Sequence, residues 1–271
     1  MKFNIYGKFQ KCEVYGMVAK WSITIPELSG KKKRNVYVYI PDKAILEPEL
    51  KFPVLYMFDG HNVFFDEDAT YGKSWGMKEY MDRTKTPMII VAVECNHGKN
   101  YARIKEYSPY SFTKPPFGRV VAKGGKYMNW LINTLKPIID SKYPTLPDRD
   151  NTYIAGSSMG GLMSLYAVVN HNDVFSRAAC LSPSVWAQLT KLRQLIRTAE
   201  MDENTVIYMD YGAREINGRE ELLRAYSTIT KELIDRHVNL TSRIIPNGDH
   251  CEACWEEQIP IFMKILSYKR K

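Results

Sequence analysis

The residues best suited to nucleophilic chemistry lie in one glycine-rich segment, Gly156-Ser157-Ser158-Met159-Gly160-Gly161. It follows an apolar run at residues 153–155 and precedes a helical pattern over 162–169. A strand, a tight turn and a helix are the context of a G-x-S-x-G nucleophile elbow, in which small residues permit the turn and the central serine is strained. The positive end of the following helix would favour an oxyanion beside that serine. We therefore predict that Ser158 is a nucleophile.

A serine hydroxyl needs a base to remove its proton, and His250 is the best candidate for that role. It ends the turn 246–250, directly after a predicted strand at 242–245. Doubly wound sheets place their reactive groups at the carboxyl ends of strands, which is where this turn falls. His171 and His237 fall at the ends of predicted helices instead. The sequence therefore predicts His250 as the general base.

A third residue should orient the imidazole and stabilise its charged form. In the chain order serine, acid, histidine, it lies between the nucleophile and the base. The turn after the predicted strand 206–209 offers two candidates. We favour Glu215, which is far enough round the turn to reach a neighbouring loop. Asp210, still in the strand or just leaving it, is the alternative.

An oxyanion hole requires two backbone N–H groups near the nucleophile. We expect the first from Met159, directly after the serine. The second should come from the loop Asp59-Gly60-His61-Asn62, which follows an apolar run at 54–58. His61 or Asn62 would supply it, because Gly60 lets the backbone approach closely.

Aromatic side chains occur in every loop expected around this site, and their flat faces suit aryl groups or sugar rings. We expect substrate contacts from Asn62, Tyr107, Trp186 and Trp255. The alternative is that half of these aromatic residues belong to the core. The loop aromatics are Phe64, Phe65, Tyr71, Trp75, Tyr107, Tyr110, Trp186 and Trp255.

The elements that must position these residues alternate between strand and helix patterns. Short apolar runs without a polar face indicate strands buried on both sides, as in a parallel sheet. Three- and four-residue apolar spacing predicts helices over 128–139, 162–169, 222–233 and 255–266. The first fifty residues instead predict antiparallel strands. We expect one α/β domain over residues 1–271, with a doubly wound, mostly parallel sheet in three layers. The predicted strands are 14–25, 36–40, 54–58, 88–93, 153–155, 178–181, 206–209 and 242–245.

The composition is that of an ordinary globular chain of 271 residues with a net charge of +8. Its densest basic runs, 31–34 and 269–271, fall at an expected turn and an expected tail. We interpret both as solvated charge, not as a nucleic-acid surface. No apolar run approaches the ~20 residues of a membrane helix, and the N-terminus lacks the apolar segment of a signal peptide. A cytoplasmic location is expected, although a mature secreted form would also fit.

Five cysteines at irregular spacing do not form a pattern of disulfides, and a reduced compartment fits them best. Cys251 and Cys254 form a lone C-x-x-C pair beside His250. One such pair is a weak signal for zinc, and its place late in the chain does not match a thioredoxin-like motif. We interpret it as two small side chains that pack the start of a helix.

Several segments, in order across residues 36–266, resemble the putative esterase family of α/β-hydrolases, with its esterase D, enterochelin esterase and feruloyl esterase relatives. The resemblance implies an α/β-hydrolase fold and ester hydrolysis through an acyl-enzyme, with no metal or organic cofactor. Carried over by residue, it makes Ser158 the nucleophile and His250 the base. The family's acid, usually Asp, corresponds to Glu215. The matching segments are Val36-Tyr37-Val38-Tyr39-Ile40-Pro41, Leu55-Tyr56-Met57-Phe58-Asp59-Gly60-His61-Asn62, Arg103 with Glu106-Tyr107-Ser108-Pro109, the elbow, Leu181-Ser182-Pro183-Ser184-Val185-Trp186, and Gly248-Asp249-His250 with Trp255.

Two hypotheses follow for the function. The first is a serine carboxylic-ester hydrolase acting on short acyl or aryl esters, including feruloyl or acetyl-sugar types. Its partner would be a small-molecule or carbohydrate-linked ester, without nucleic acid or membrane. The second is a catalytically silent protein of the same fold that binds a glycan or a protein partner. A complete set of serine, acid and histidine at the expected strand ends favours the first.

Overall fold

A computed structural model describes residues 15–267 of the chain. Eight of its strands form one sheet in the order β1-β2-β4-β3-β7-β8-β9-β10, and β5 pairs with β6 in a separate hairpin. In the large sheet β2 is antiparallel to both of its neighbours, while the pairs from β4 to β10 are parallel. The strands are β1 (Met17–Thr24), β2 (Lys33–Ile40), β3 (Val54–Met57), β4 (Ile89–Val93), β5 (Phe112–Lys114), β6 (Gly118–Val120), β7 (Thr152–Ser157), β8 (Arg177–Leu181), β9 (Val206–Gly212) and β10 (Asn239–Ile245).

The helices connect these strands and cover the sheet. Short 3-10 turns occupy Gly60–Asn62, Arg149–Asn151 and Val185–Ala187, and a π-helical turn at Leu131–Leu135 joins α5 to α6. The helices are α1 (Pro26–Ser29), α2 (Asp42–Leu46), α3 (Met77–Thr84), α4 (Ala102–Glu106), α5 (Gly124–Trp130), α6 (Lys136–Lys142), α7 (Met159–Asn170), α8 (Leu189–Thr198), α9 (Ala213–Ile216), α10 (Glu220–Asp235), α11 (Glu252–Glu256) and α12 (Ile259–Leu266).

Two hydrophobic cores lie on opposite faces of the sheet, because side chains alternate between the faces along each strand. In β4, Ile89 and Val91 pack into the core that includes α7 and α10, whereas Ile90 and Ala92 pack into the core that includes α3 and α12. All of β4 is buried, as a parallel strand covered on both faces should be. The predicted three-layer α/β fold with antiparallel N-terminal strands is therefore confirmed.

Some elements differ from the sequence predictions. The stretch 96–118, which shows no clear apolar period in the sequence, contains α4 and most of the β5–β6 hairpin. The helix predicted over 255–266 is two helices, and Pro260 occupies the first turn of the second, where a missing N–H costs no hydrogen bond. The helices α3 and α8 were not predicted. None of these differences moves the strands that carry the predicted site.

The interpretation of residues 31–34 as solvated charge is wrong for Arg34. Its guanidinium is buried and forms a bidentate ion pair with Glu106, at 2.5 and 2.6 Å. A buried charge needs such a partner, because desolvation without one costs several kcal/mol. Lys31 and Lys32 are exposed as predicted, and the run 269–271 lies outside the described residues. Within the described part of the chain, no helix is long and apolar enough to cross a membrane.

Candidate active site

Ser158 lies at the sharp turn between β7 and α7, with a strained backbone at φ 56° and ψ −120°. Small neighbours make this turn possible: a Cβ atom on Gly156 would come within 2.8 Å of the backbone carbon of Gly160. The strand before Ser158 and the helix after it match the predicted elbow. Because β3 and β7 are adjacent and the chain order reverses between them, this serine lies at a switch point of the sheet, where doubly wound folds bind ligands.

His250 and Glu215 form a hydrogen-bonded pair, with 2.5 Å between His250 Nδ1 and Glu215 Oε2. A carboxylate can only accept, so Nδ1 carries a proton, and in the neutral imidazole Nε2 then keeps its lone pair. Burial alone would raise the pKa of Glu215, but hydrogen bonds from His250 and Ser182 outweigh it and hold that pKa below its usual value. Glu215 is therefore an ionised carboxylate that fixes the orientation of the imidazole.

The turn that carries His250 reaches Glu215 because two backbones approach closely at Gly212. A Cβ atom on Gly212 would lie 2.2 Å from the carbonyl oxygen of Gly248. The same carbonyl accepts a hydrogen bond from the Arg214 amide at 3.2 Å. Any larger residue at Gly212 would thus push the histidine turn away from the helix that carries Glu215.

Asp210, the alternative acid, is still within β9 and bonds to other groups. It accepts hydrogen bonds from the Tyr208 hydroxyl at 2.6 Å and from the Ser182 amide at 3.2 Å. Burial raises its pKa to about 6, and these two hydrogen bonds only partly offset the effect. The structure thus brings Glu215, and not Asp210, into the hydrogen-bonded pair with His250.

Ser182 was not assigned a role from the sequence, yet it joins several groups of the site. Its hydroxyl donates to Glu215 Oε1 at 2.6 Å and accepts from Trp255 Nε1 at 3.1 Å. The indole of Trp255 also lies edge-on to the His250 ring, with 5.0 Å between ring centroids. Ser182 and Trp255 therefore restrain the positions of the Glu215 carboxylate and the His250 imidazole.

Of the expected oxyanion-hole residues, Met159 directly follows Ser158, and His61 lines the same cavity as Ser158. Met159 begins α7 and His61 lies in the 3-10 turn Gly60–Asn62, and amides at such helix starts lack helical acceptors. The loop is held by Asp59, which adopts the left-handed conformation and accepts two hydrogen bonds from Arg103, at 2.6 and 2.7 Å. Arg103 thus positions the loop that carries His61.

Two cavities meet at Ser158 and His250. The larger, of about 560 Å³, is lined by His61, Asn62 and Trp255, with the aromatic side chains Tyr71 and Tyr101 also on its wall. The second, of about 390 Å³, includes Trp186, Tyr211, Leu222 and Arg219. Because Ser158 and His250 line both, a reacting group placed between them could extend one part into each cavity.

The predicted substrate residues are not all on these walls. Asn62 and Trp255 line the larger cavity and Trp186 the smaller. Tyr107, by contrast, is fully buried against Phe58, and its hydroxyl accepts a hydrogen bond from the Asp59 amide. The structure thus gives Tyr107 a place in the core.

Glu252 also lines the larger cavity, although no sequence pattern singled it out. Its Oε1 accepts a hydrogen bond from Asn62 Nδ2 at 3.0 Å. Burial raises the pKa of this carboxyl group. A residue found only through this contact, between positions far apart in the chain, could not be inferred from local spacing.

Comparisons with known proteins agree with this fold. The model of the family described as "Putative esterase" matches residues 28–260. A structure of a ferulic acid esterase is 20% identical, with a TM-score of 0.68 over 93% of this chain and 97% of the other. An IroE-like serine hydrolase from Shewanella oneidensis is 17% identical, with a TM-score of 0.69 over 93% and 79%. The uncharacterized protein YbbA of Bacillus subtilis (strain 168) is 20% identical over 185 residues, which are 67% of this chain and 69% of YbbA.

The matching family model covers most of the chain, and the fold and the elbow are those that the sequence resemblance implied. The chain belongs to the putative esterase family, and it is a carboxylic-ester hydrolase.

Proposed function

We propose that this protein hydrolyses esters through an acyl-enzyme, with Ser158 as the nucleophile, His250 as the general base and Glu215 as the acid. The hydrogen bond between His250 Nδ1 and Glu215 Oε2, beside a serine at a strained elbow, carries the proposal. It leaves His250 Nε2 free to take a proton.

In the first half of the reaction, Ser158 Oγ attacks the ester carbonyl carbon and its proton passes to His250 Nε2. The carbonyl oxygen becomes an oxyanion, which the N–H groups of Met159 and His61 would stabilise. When the tetrahedral intermediate collapses, the C–O bond to the alcohol breaks. His250 returns its proton to the departing alkoxide, so an alcohol leaves and the acyl group stays on Ser158.

In the second half, water takes the place of the alcohol. His250 removes a proton from the water, the resulting hydroxide adds to the acyl carbon, and the bond to Ser158 Oγ breaks with return of the proton. The products are a carboxylic acid and the free serine. Glu215 remains ionised throughout and stabilises the imidazolium that forms twice in each cycle, a role that its lowered pKa supports.

The residues that line the two cavities suit an ester that carries a ring in its acyl part, its alcohol part or both. Trp186 in the smaller cavity, and Trp255, Tyr71 and Tyr101 in the larger, offer aromatic surfaces for an aryl acyl group or a sugar ring. Tyr71 is 82% exposed, so its ring is free to cover a ligand. We propose short acyl or aryl esters of the feruloyl or acetyl-sugar type. The similarity in fold to a ferulic acid esterase makes feruloyl esters the first to test.

The nucleophile is tested by active-site labelling. A fluorophosphonate should label the wild-type protein on Ser158, and Ser158→Ala should abolish labelling. The same substitution should lower the turnover of p-nitrophenyl acetate by about 10⁴-fold or more. Ser157→Ala is the matched control, because it removes the neighbouring hydroxyl and keeps the serine at the strained position 158. Labelling and turnover that persist in Ser158→Ala would contradict the proposal, and their absence from the wild type would favour the silent binding protein.

The substrate class is tested by a panel of esters. Feruloyl, acetyl-sugar and short aliphatic esters are compared by kcat/KM, and Trp186→Ala is measured with each. If an aryl group occupies the smaller cavity, this substitution should raise KM for feruloyl esters and leave acetyl esters nearly unchanged. An equal effect on all three esters would assign Trp186 a purely structural role.

The cytoplasmic location expected from the sequence stays a prediction.

A further inference from the structure

A second group of reactive side chains lies on the wall of the larger cavity. His61 follows β3, while Cys95 and His97 follow the adjacent parallel strand β4. One ligand atom from each of the three lies within 4.8 Å of the others. The two imidazole rings are 4.6 Å apart between centroids, with an interplanar angle of 71°. All three residues line the cavity that also contains Ser158 and His250.

His61 supplies an observation that points to a ligand. It is only 5% exposed, and its Nε2 lies 2.9 Å from the Thr70 hydroxyl. Its Nδ1 is buried and has no hydrogen-bond partner among the described residues. A buried polar atom without a partner costs about 1–3 kcal/mol, so native proteins rarely leave one. If Nε2 donates its proton to Thr70, Nδ1 carries a bare lone pair, which a cation would satisfy.

The neighbouring groups match the surroundings of a metal site. Metal-binding histidines usually direct their second nitrogen to an oxygen, which fixes the tautomer and the ring orientation. Thr70 does this for His61, and the Glu94 carboxylate lies 3.4 Å from His97 Nε2. Each of the two imidazoles would thus keep Nδ1 for a metal ion.

We propose that His61, Cys95 and His97 bind one zinc-class divalent cation in the wall of the active-site cavity. Two imidazoles and a thiolate are the donors that Zn²⁺ prefers, and three protein ligands with an open fourth position are typical of its reactive sites. Bonds of 2.0–2.1 Å to nitrogen and 2.3 Å to sulfur place tetrahedral ligands about 3.3–3.6 Å apart. The ligand atoms must therefore move about 1 Å closer to one another, and the exposed side chain of His97 can make this movement.

The open position would face the cavity shared with Ser158. A bound cation there would attract a carboxylate or another oxygen donor on the substrate, which links the site to substrate choice. The serine chemistry proposed above does not require this ion, and the metal site does not depend on that chemistry. A metal ion at this position goes beyond what the family resemblance implies.

Binding is measured directly, without an activity readout. After the full-length protein is freed of metal with a chelator, calorimetric titration with Zn²⁺ should give one site per chain. Cys95→Ser and His97→Ala should each weaken binding at least about 100-fold, and Thr70→Ala about 10-fold, since outer partners of metal ligands typically contribute 10–100-fold. Co²⁺ should give thiolate-to-metal charge-transfer absorption that Cys95→Ser abolishes.

Control variants make the test specific. Cys180→Ser removes another buried thiol and His237→Gln an exposed histidine, and neither should alter Zn²⁺ binding. The double variant Cys251→Ser/Cys254→Ser removes the competing thiol pair, whose sulfur atoms lie 3.5 Å apart. If this double variant abolishes binding, or if His97→Ala binds as the wild type does, the proposal is overturned. No binding of Zn²⁺ or Co²⁺ to the wild type would overturn it as well. Circular dichroism verifies that each variant is folded.

Discussion

At the carboxyl end of β9 the chain carries two buried carboxyl groups, Asp210 in the strand and Glu215 in the short helix that follows. Both bond to Ser182, but through different atoms: its amide donates to Asp210 and its hydroxyl to Glu215. Glu215 has the further hydrogen bond to His250, and its pKa is lowered. Asp210 bonds to Tyr208 instead, and its pKa is raised to about 6.

The contrast shows that burial alone does not decide the charge of a carboxyl group. Desolvation is the first unfavourable contribution for both residues. The partners contribute to the difference, because donors to the ionised form offset desolvation only when they are sufficiently strong and numerous. An acid that must stabilise an imidazolium has to be ionised at working pH, and Glu215 meets this requirement.

The largest effect should come from neutralising Glu215. Glu215→Gln keeps the shape but loses the charge, and its amide can present a donor to His250 Nδ1 and favour the wrong tautomer. We expect kcat/KM for p-nitrophenyl acetate to fall by about 10³-fold or more, as for other triad acids.

Asp210→Asn is the matched control for this change, with an expected loss of less than about 3-fold, within the range of an indirect effect. If Asp210→Asn proves the more damaging of the two, the assignment of the acid moves to Asp210.

A smaller effect is expected from Ser182→Ala, which keeps the amide bonded to Asp210 and removes the hydroxyl bonded to Glu215. A hydrogen bond to a charged group contributes about 1.5–3 kcal/mol, so we expect kcat to fall by about 10-fold with little change in KM. Steady-state kinetics measure both constants. Ser176→Ala, at a buried serine whose hydroxyl has no partner among the described residues, should leave kcat unchanged. A normal kcat in Ser182→Ala would show that Glu215 holds its position without this hydroxyl.

The sequence was informative where chemistry depends on local spacing. The elbow could be predicted because strand, small residues and helix follow one another, and Glu215 because its distance past the strand allows it to reach another loop. Residues brought together by the order of strands could not be predicted in this way. Arg34 meets Glu106, and His61 meets Cys95 and His97, only because β2, β4 and β3 are neighbours in the sheet. Tyr107 lies in the core for a similar reason, since the fold brings its hydroxyl to the backbone amide of Asp59.

The smallest effect on turnover, but an informative one on stability, should come from Asp210→Asn. A carboxyl group whose folded-state pKa is raised binds its proton more tightly in the folded state, so its contribution to stability is greatest at low pH and falls as pH rises toward 6. A shift from 3.8 to about 6 corresponds to a loss of up to about 3 kcal/mol. Asp210→Asn removes this titration. The free energy of unfolding of the variant minus that of the wild type should therefore be larger at pH 8 than at pH 4.5.

Glu215→Gln should show the opposite sign when the free energies of unfolding of both variants are measured by urea denaturation at these pH values. Because the pKa of Glu215 is lowered in the folded protein, its carboxylate stabilises the fold above the unfolded-state pKa and loses that contribution as pH falls. The variant should therefore be less stable than the wild type at pH 8, and the difference should shrink toward acid pH. Parallel curves for the two variants would mean that the two carboxyl groups do not differ in charge as their hydrogen bonds require.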